Sequence, residues 1–314
     1  SLGIDVDADS TVTALSVGDI TPISIAAGKT LSGAIAVTAG SLKLTETGTL
    51  ASNVTMSGGT LDADETSTVS GVLTQAGNIS IDVLTGKILT YSGAAINLGA
   101  NTITLSGGGS LVSGGLTLNN ADSKLLLNSI TLDSASTTAD SLGIDVDADS
   151  TVTALSVGDI TPILIAAGKT LSGAIAVTAG SLKLTETGTL ASNVTMSGGT
   201  LDADETSTVS GALTQSGDIT IDVATGKNLT YTGAAVNLGA KSMTLSGGGT
   251  LSNTFNLVLN NANSKLLLNS ITLKNLDTSS DSLGIDINAD SSVNTLEIRN
   301  ITPVSIAAGT TLSG

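Results

Sequence analysis

The chain contains a unit of about 140 residues that occurs twice and then begins a third time. SLGIDVDADSTVTALSVGDITPI opens at Ser1 and again at Ser141, and a diverged copy, SLGIDINADSSVNTLEIRNITPV, opens at Ser282. Over positions 1–71 the first two copies differ only where Ser24 is replaced by Leu164. Repetition at a fixed period is typical of solenoids and fibres, whose units contact only their neighbours. We therefore expect one continuous repeat body, part of a longer array. Its predicted segments are 1–140, 141–281 and 282–314.

The aromatic content limits the kind of core that the chain can build. It has one Phe, two Tyr and no Trp among 314 residues. Compact globular cores take much of their volume from large aromatic side chains. Leu, Ile, Val and Ala must therefore fill the interior, which favours a narrow core. Disorder is not expected, because the mean hydropathy is +0.38 and apolar residues recur at regular spacing.

The charge and the missing residue types exclude several classes of function. The formal net charge is −16 and Arg299 is the only Arg, so a nucleic-acid partner, which needs clustered Lys or Arg, is not expected. No run of 18 apolar residues occurs, so no membrane-spanning helix is expected. The lack of Cys excludes disulfides and thiolate metal sites, and the lack of His excludes Ser-His-Asp catalysis. We therefore expect that the chain is not an enzyme.

A shorter period of about 19 residues lies inside the long repeat. Segments 22–40, 41–59 and 60–78 can be aligned so that aliphatic residues fall in phase, and short stretches within them alternate apolar and polar residues. Gly, Asn, Ser and Asp separate these stretches and are typical of turns. The inward-facing sets predicted from this alignment are Ile23, Leu42 and Leu61; Leu31, Leu50 and Val69; Ile35 and Val54; and Val37 and Met56.

These patterns predict an all-β chain folded as a right-handed parallel β-helix, with about 19–20 residues per turn and about 16 turns. A single short strand cannot bury its apolar face, whereas stacked coils bury a continuous aliphatic ladder. A β-propeller is the alternative, but its usual aromatic marks are missing. A helical repeat is disfavoured because Gly, Thr, Ser, Val and Ile are frequent and no 3.6-residue stripe persists. The variable turn length favours the right-handed coil over the stricter left-handed type.

Stretches such as GGTLDADETSTVSGVLTQAGN, NTITLSGGGSLVSGGLTLNN and GTLASNVTMSGGTL give the chain a family resemblance. They resemble the right-handed parallel β-helices of bacterial autotransporter passengers and filamentous-haemagglutinin-type adhesins. The resemblance covers the whole chain and implies an extracellular or bacterial cell-surface stalk, fibre or adhesin. It supplies no catalytic residue.

Acidic residues at alternate positions suggest a candidate Ca²⁺ site. Carboxylates on one side of an extended chain would suit Ca²⁺, which takes six to eight oxygen ligands. The other interpretation is a solvated acidic rim at a turn, because the EF-hand and β-roll calcium patterns are both absent. The candidates are Asp5, Asp7 and Asp9 with their second-copy equivalents Asp145, Asp147 and Asp149; Asp286, Asn288 and Asp290 correspond to them in the third copy, and Asp62, Asp64 and Glu65 form a weaker cluster.

Thr11, Thr30, Thr49 and Thr68 recur 19 residues apart, each just before an inward Val or Leu. Stacked coils would place these hydroxyls in one row, and flat Thr arrays on β-solenoids occur in ice-binding proteins. A second parallel row would strengthen that interpretation, but the positions two residues earlier hold Asp, Gly, Thr and Thr, so it is half formed. The alternative is that β-branched polar residues are simply favoured on an exposed strand.

Two classes of function remain open from the sequence. The first is a structural or adhesive element of a long surface protein, a stiff β-solenoid rod or filament whose partners are further copies of itself, end to end or side by side. The second is a module that binds a ligand, either Ca²⁺ or a glycan, on the surface of a β-helical scaffold. Its partner would be a host or surface ligand. Aliphatic residues hold the 19-residue phase better than outward polar residues do, which favours the first class.

Overall fold

A computed structural model describes residues 3–254 and 257–314. Strands, turns and bends account for the structure, and no helix occurs in the described part of the chain. The chain divides into two compact units, which we call the first unit (up to Leu155) and the second unit (from Ser156).

The first unit contains nineteen strands among its described residues, and a further strand, β20, includes the boundary between the units. These strands are β1 (Ile4–Val6), β2 (Ser10–Val17), β3 (Ile20–Ile25), β4 (Thr30–Val37), β5 (Ser41–Leu44), β6 (Thr49–Leu50), β7 (Asn53–Met56), β8 (Thr60–Ala63), β9 (Ser67–Val69), β10 (Leu73–Gln75), β11 (Ile79–Val83), β12 (Ile88–Tyr91), β13 (Ile96–Asn97), β14 (Thr102–Ser106), β15 (Ser110–Ser113), β16 (Leu116–Leu118), β17 (Lys124–Asn128), β18 (Thr131–Thr137), β19 (Gly143–Ala148) and β20 (Ser150–Val157).

The second unit has the same organisation. Its strands are β21 (Thr161–Ile165), β22 (Thr170–Val177), β23 (Ser181–Leu184), β24 (Thr189–Leu190), β25 (Asn193–Met196), β26 (Thr200–Ala203), β27 (Ser207–Val209), β28 (Leu213–Gln215), β29 (Ile219–Val223), β30 (Asn228–Tyr231), β31 (Val236–Asn237), β32 (Ser242–Ser246), β33 (Thr250–Asn253), β34 (Leu257–Leu259), β35 (Lys265–Asn269), β36 (Thr272–Thr278), β37 (Gly284–Ala289), β38 (Ser291–Ile298), β39 (Val304–Ile306) and β40 (Leu312–Ser313).

Each unit is a stack of coils in which one strand per coil joins a first sheet and the remaining strands join a second sheet. In the first unit the first sheet runs β1-β3-β5-β8-β11-β14-β17-β19, and in the second unit it runs β21-β23-β26-β29-β32-β35-β37-β39. The strand pairs within each unit are parallel, for example β5 with β8 and β23 with β26. Neighbouring coils therefore lie about 4.8 Å apart. The parallel β-solenoid predicted from the sequence is confirmed.

The interior of each coil is filled by the aliphatic residues that hold the 19-residue phase. Leu31 pairs with Leu50 and Leu50 pairs with Val69, and all three side chains are at most 1% exposed. Ile35 pairs with Val54 in the same way. The polar residues between them lie outward because successive side chains of a strand point to opposite faces. The predicted inward ladder is therefore confirmed in the second sheet.

In the first sheet one predicted alignment was wrong. Ile23 pairs with Leu44 and not with Leu42, although Leu42 does pair with Leu61 as predicted. β3 and β5 start level, but β3 has six residues and β5 has four. The two extra residues of β3 move the register partner of Ile23 from Leu42 to Leu44. Because the shift is an even number of residues, all of these side chains still point inward.

Glycine is required where one coil crosses closely over another. A Cβ built on Gly71 would lie 1.9 Å from the Ser52 carbonyl oxygen of the preceding coil, and Gly211 stands in the same relation to Ser192. Neither contact leaves room for a methyl group, so the backbone approach itself selects glycine.

Candidate functional site

The outer face of the first sheet carries a ladder of ion pairs. Lys43 Nζ lies 2.8 Å from the carboxylates of both Asp62 and Asp64, which belong to the next coil. Asp82, on the coil after that, is the register partner of Asp62, and it accepts a hydrogen bond from the Ser106 hydroxyl. Two carboxylates thus share a single ammonium group, a third carboxylate, Asp82, lies beside Asp62, and the ion pairs tie neighbouring coils together on the outside.

Burial and pairing act in opposite directions on this ladder. The hydrogen bonds from Lys43 to Asp62, and then to Asp64, raise the pKa of the Lys43 ammonium group. Desolvation raises the pKa of Asp62, and it outweighs the opposing effect of Lys43. The lysine charge is therefore stabilised by the fold, whereas the charge on the most buried carboxylate of the ladder is disfavoured.

The second unit repeats this ladder. Lys183 Nζ lies 3.2 Å from Asp202 and 3.0 Å from Asp204, and Asp202 is the register partner of Asp222. The pKa of Lys183 is raised, chiefly by its hydrogen bond with Asp204, and burial raises the pKa of Asp202.

The weaker acidic cluster predicted at Asp62, Asp64 and Glu65 is divided between two lysines. Asp62 and Asp64 contact Lys43, whereas Glu65 lies 2.5 Å from the ammonium group of Lys87. Each of these carboxylates therefore has a lysine ammonium group as its counter-ion. Sequence analysis missed Asp82, although the steps from Lys43 to Asp62 and on to Asp82 fit the short period.

The structure also places the residues of the main Ca²⁺ candidate. Asp5, Asp7 and Asp9 are exposed, and Asp9 Oδ1 accepts a hydrogen bond from the Thr30 backbone N–H on the next coil. This carboxylate therefore caps a turn between coils.

In the second copy the three candidate carboxylates differ in environment. Asp145 forms an ion pair with Lys124 at 2.5 Å, and Asp147 and Asp149 are exposed. β19 pairs with β17 through a register shift after Val146, so Asp147 has no register partner on β17.

The third copy follows the same plan. Asp286 pairs with Lys265 at 2.7 Å, and Asp290 accepts hydrogen bonds from the backbone and hydroxyl of Thr311. Across residues 3–254 and 257–314, no three Asp or Glu side chains come together in a group that could hold a metal ion.

The predicted Thr row is present, with a corrected first member. Thr30 pairs with Thr49 and Thr49 pairs with Thr68, as predicted. The row then continues to Thr90, which the 19-residue spacing did not reach. Thr11 was wrongly included, because it pairs with Ser32, one outward position further along β4.

Tyr91 and Tyr231, known from the sequence only as equivalent residues, are buried in the coils and not displayed at the surface. The Tyr91 hydroxyl accepts a hydrogen bond from the Leu73 N–H at 3.0 Å and donates one to the Ala94 carbonyl at 2.8 Å. Tyr231 makes the equivalent bonds in the second unit. These rings support the fold and offer no exposed stacking platform.

No protein-family model, no curated protein and no solved structure matches this chain. Nowhere in the described part of the chain is there a helix with the length and hydropathy of a membrane span.

Proposed function

We propose that this chain is a structural or adhesive element of a long extracellular or bacterial cell-surface protein. In this proposal tandem copies stack their coils into a stiff rod or filament, and the number of copies sets its reach. The resemblance to autotransporter passengers and filamentous-haemagglutinin-type adhesins supports the proposal, as does the parallel β-solenoid of each unit. Further copies of the same chain, end to end or side by side, are the proposed partners.

One observation carries this proposal: apolar residues in register on successive coils form one continuous packed ladder inside each unit. The ladder from Leu31 through Leu50 and Val69 ends on Tyr91, and its counterpart runs from Leu171 through Leu190 and Val209 to Tyr231. Its members are buried in both units. A packed interior that continues from coil to coil is what a stiff scaffold requires.

The outer ion pairs serve the same purpose. Lys43, Lys87 and Lys124 each bridge to a carboxylate on a neighbouring coil. Pairs of this kind on a partly exposed face each contribute little, on the order of 0.2–1 kcal/mol. Repeated along a stack, they resist the sliding of one coil over another.

The proposal is tested by measuring length against copy number. The first-sheet strands of the first copy are seven in number, β1 to β17. At about 4.8 Å per coil, each added copy should lengthen the particle by about 34 Å at constant width. Chains with one, two and four copies would be imaged by electron microscopy or atomic force microscopy. Particles that grow in width, or that stay compact as copies are added, would contradict the proposal.

A further inference from the structure

The second unit presents an array of hydroxyl groups on the outer face of its second sheet. One row is formed by residues in direct register on successive coils: Thr170, Thr189, Thr208, Thr230 and Ser252. Its members are half-buried, as side chains packed beside one another on a sheet face are. The row extends over five coils of one unit.

A second row, parallel to the first, lies two residues earlier on each coil. Thr187 and Thr206 are exposed; Thr206 directly precedes β27, and Thr187 lies two residues before the start of β24. The Thr206 hydroxyl accepts a hydrogen bond from the Asn228 N–H on the next coil, Asn228 pairs with Thr250, and Thr250 pairs with Thr272. The second row, half formed when judged from the first copy, therefore has polar side chains from Thr187 to Thr272 in the second unit, with Gly168 two residues before Thr170.

The two copies differ at the positions that complete this array. In the first unit the corresponding rows contain Ile88 and Val112, which are 42% and 41% exposed. Asn228 and Ser252 replace them in the second unit. The inward partners Leu89 and Leu229 are the same in both copies. The two substitutions thus replace two exposed apolar side chains on this face with hydrogen-bonding groups. The adjacent inward-facing leucine does not change.

The dimensions of the array are fixed by the backbone. Hydroxyls in one row are about 4.8 Å apart, and the two rows are separated by two residues of a strand, about 6.6 Å. β-Branched Thr has few side-chain rotamers, so each hydroxyl and methyl group is held in place before any ligand arrives. The face is a rigid two-dimensional lattice of groups that donate and accept hydrogen bonds.

From this geometry we propose that the array binds the surface of ice. Ice presents an extended lattice of oxygen atoms whose repeats in two directions are of the same order as the spacings within and between the rows of the array. Many weak contacts can therefore form at once. The array residues carry no charge, and a strongly bound hydration shell does not have to be displaced from them. A polysaccharide surface fits less well, because sugar rings are held by exposed aromatic stacking and both Tyr91 and Tyr231 are buried.

The test compares two double variants of the whole chain in an assay of ice recrystallisation. T189K/T208K puts two lysines into the array at positions in direct register. T195K/T214K is the matched control, since Thr195 and Thr214 are also in register on neighbouring coils but lie on β25 and β28, outside the array, where both are exposed. Circular dichroism and melting temperature show whether each variant folds.

We expect the unmodified chain to inhibit the growth of ice grains and to shape single ice crystals. To inhibit ice growth equally, T189K/T208K should require a protein concentration about tenfold or more above that of the unmodified chain, because contacts along a lattice act together. The control T195K/T214K should match the unmodified chain. Should T189K/T208K fail to fold, T208V removes one hydroxyl with no change of shape and should weaken inhibition. No inhibition by the unmodified chain, equal loss in both double variants, or retention on chitin or cellulose without any effect on ice would overturn the proposal.

Discussion

Lys43 and Asp62 lie nineteen residues apart in the chain, and their charged groups meet at 2.8 Å across neighbouring coils. The same lysine holds Asp64, while Asp82 lies next to Asp62 on the following coil. Two of these carboxylates are thus adjacent without a cation between them. The ladder therefore combines the attraction between Lys43 and its carboxylates with the repulsion between Asp62 and Asp82.

Replacement of Lys43 should leave the repulsion between Asp62 and Asp82 without a compensating positive charge. In K43M the Asp62 and Asp64 carboxylates lose their common partner, and the partly buried Asp62 is left beside Asp82. We expect a loss of about 1 kcal/mol in the free energy of unfolding, measured by urea denaturation. K183M should behave alike, because Lys183 holds the equivalent position. K29M is the control, since Lys29 forms no ion pair among the described residues, and an equal loss there would contradict the role assigned to Lys43.

The ladder also predicts how stability depends on pH at the alkaline end. The pKa of Lys43 is raised in the folded chain, so its contribution is complete below the unfolded value of about 10.4 and is lost as the pH rises through the folded value. Urea unfolding at about pH 8 and about pH 11 should show a larger loss for the unmodified chain than for K43M/K183M. Identical losses would show that these lysines are not coupled to folding.

At the acid end the pH dependence has the same sign, because the pKa of Asp62 is raised as well. Burial raises the pKa of Asp62, so the folded chain holds that proton more tightly than the unfolded chain does. Relative to D62N, the unmodified chain should gain stability as the pH falls through the folded pKa of Asp62, and the gain is complete below the unfolded value of about 3.9. Unfolding measured in steps from neutral pH to about pH 3 checks this. A relative loss on acidification would mean that the pairing with Lys43 outweighs burial.

A small cavity lies among the core side chains of the second unit. The second unit encloses about 20 Å³ between side chains that include Val236, Tyr231 and Leu257. Position 96, the equivalent of 236, holds Ile in the first copy. V236I should restore the missing methyl group and stabilise the chain by about 0.5 kcal/mol, and I96V should cost about 0.5–1.5 kcal/mol. Thermal melts of both variants decide the matter, and destabilisation by V236I would show that the cavity has the wrong shape for the added group.

The sequence predicted the coil and its second-sheet ladder because strand residues there keep a constant spacing. It misaligned Ile23 because the ends of β3 and β5 are set by hydrogen bonding between coils, which the alternation pattern does not reveal. The same limit hid Asp82 and Thr90. In the register of the first sheet, one row contains Lys43, Asp62 and Asp82. Their proximity therefore depends on which residues pair between coils, and residue type alone does not reveal it. The ion pairs of Lys124 with Asp145 and of Lys265 with Asp286 were not predicted either, because they too depend on which residues meet across neighbouring coils.

The close crossing of coils at Gly71 gives the sharpest test of the stacking itself. In G71A the new methyl group would lie 1.9 Å from the Ser52 carbonyl oxygen, so the two coils must separate. We expect a loss of about 3 kcal/mol, because backbone atoms on both sides cannot move independently. G18A is the control: the nearest atom to its added Cβ is the Thr38 hydroxyl at 3.8 Å, so its stability should change by less than about 1 kcal/mol. Equal melting temperatures for G71A and G18A would show that the coils are not packed as closely as described.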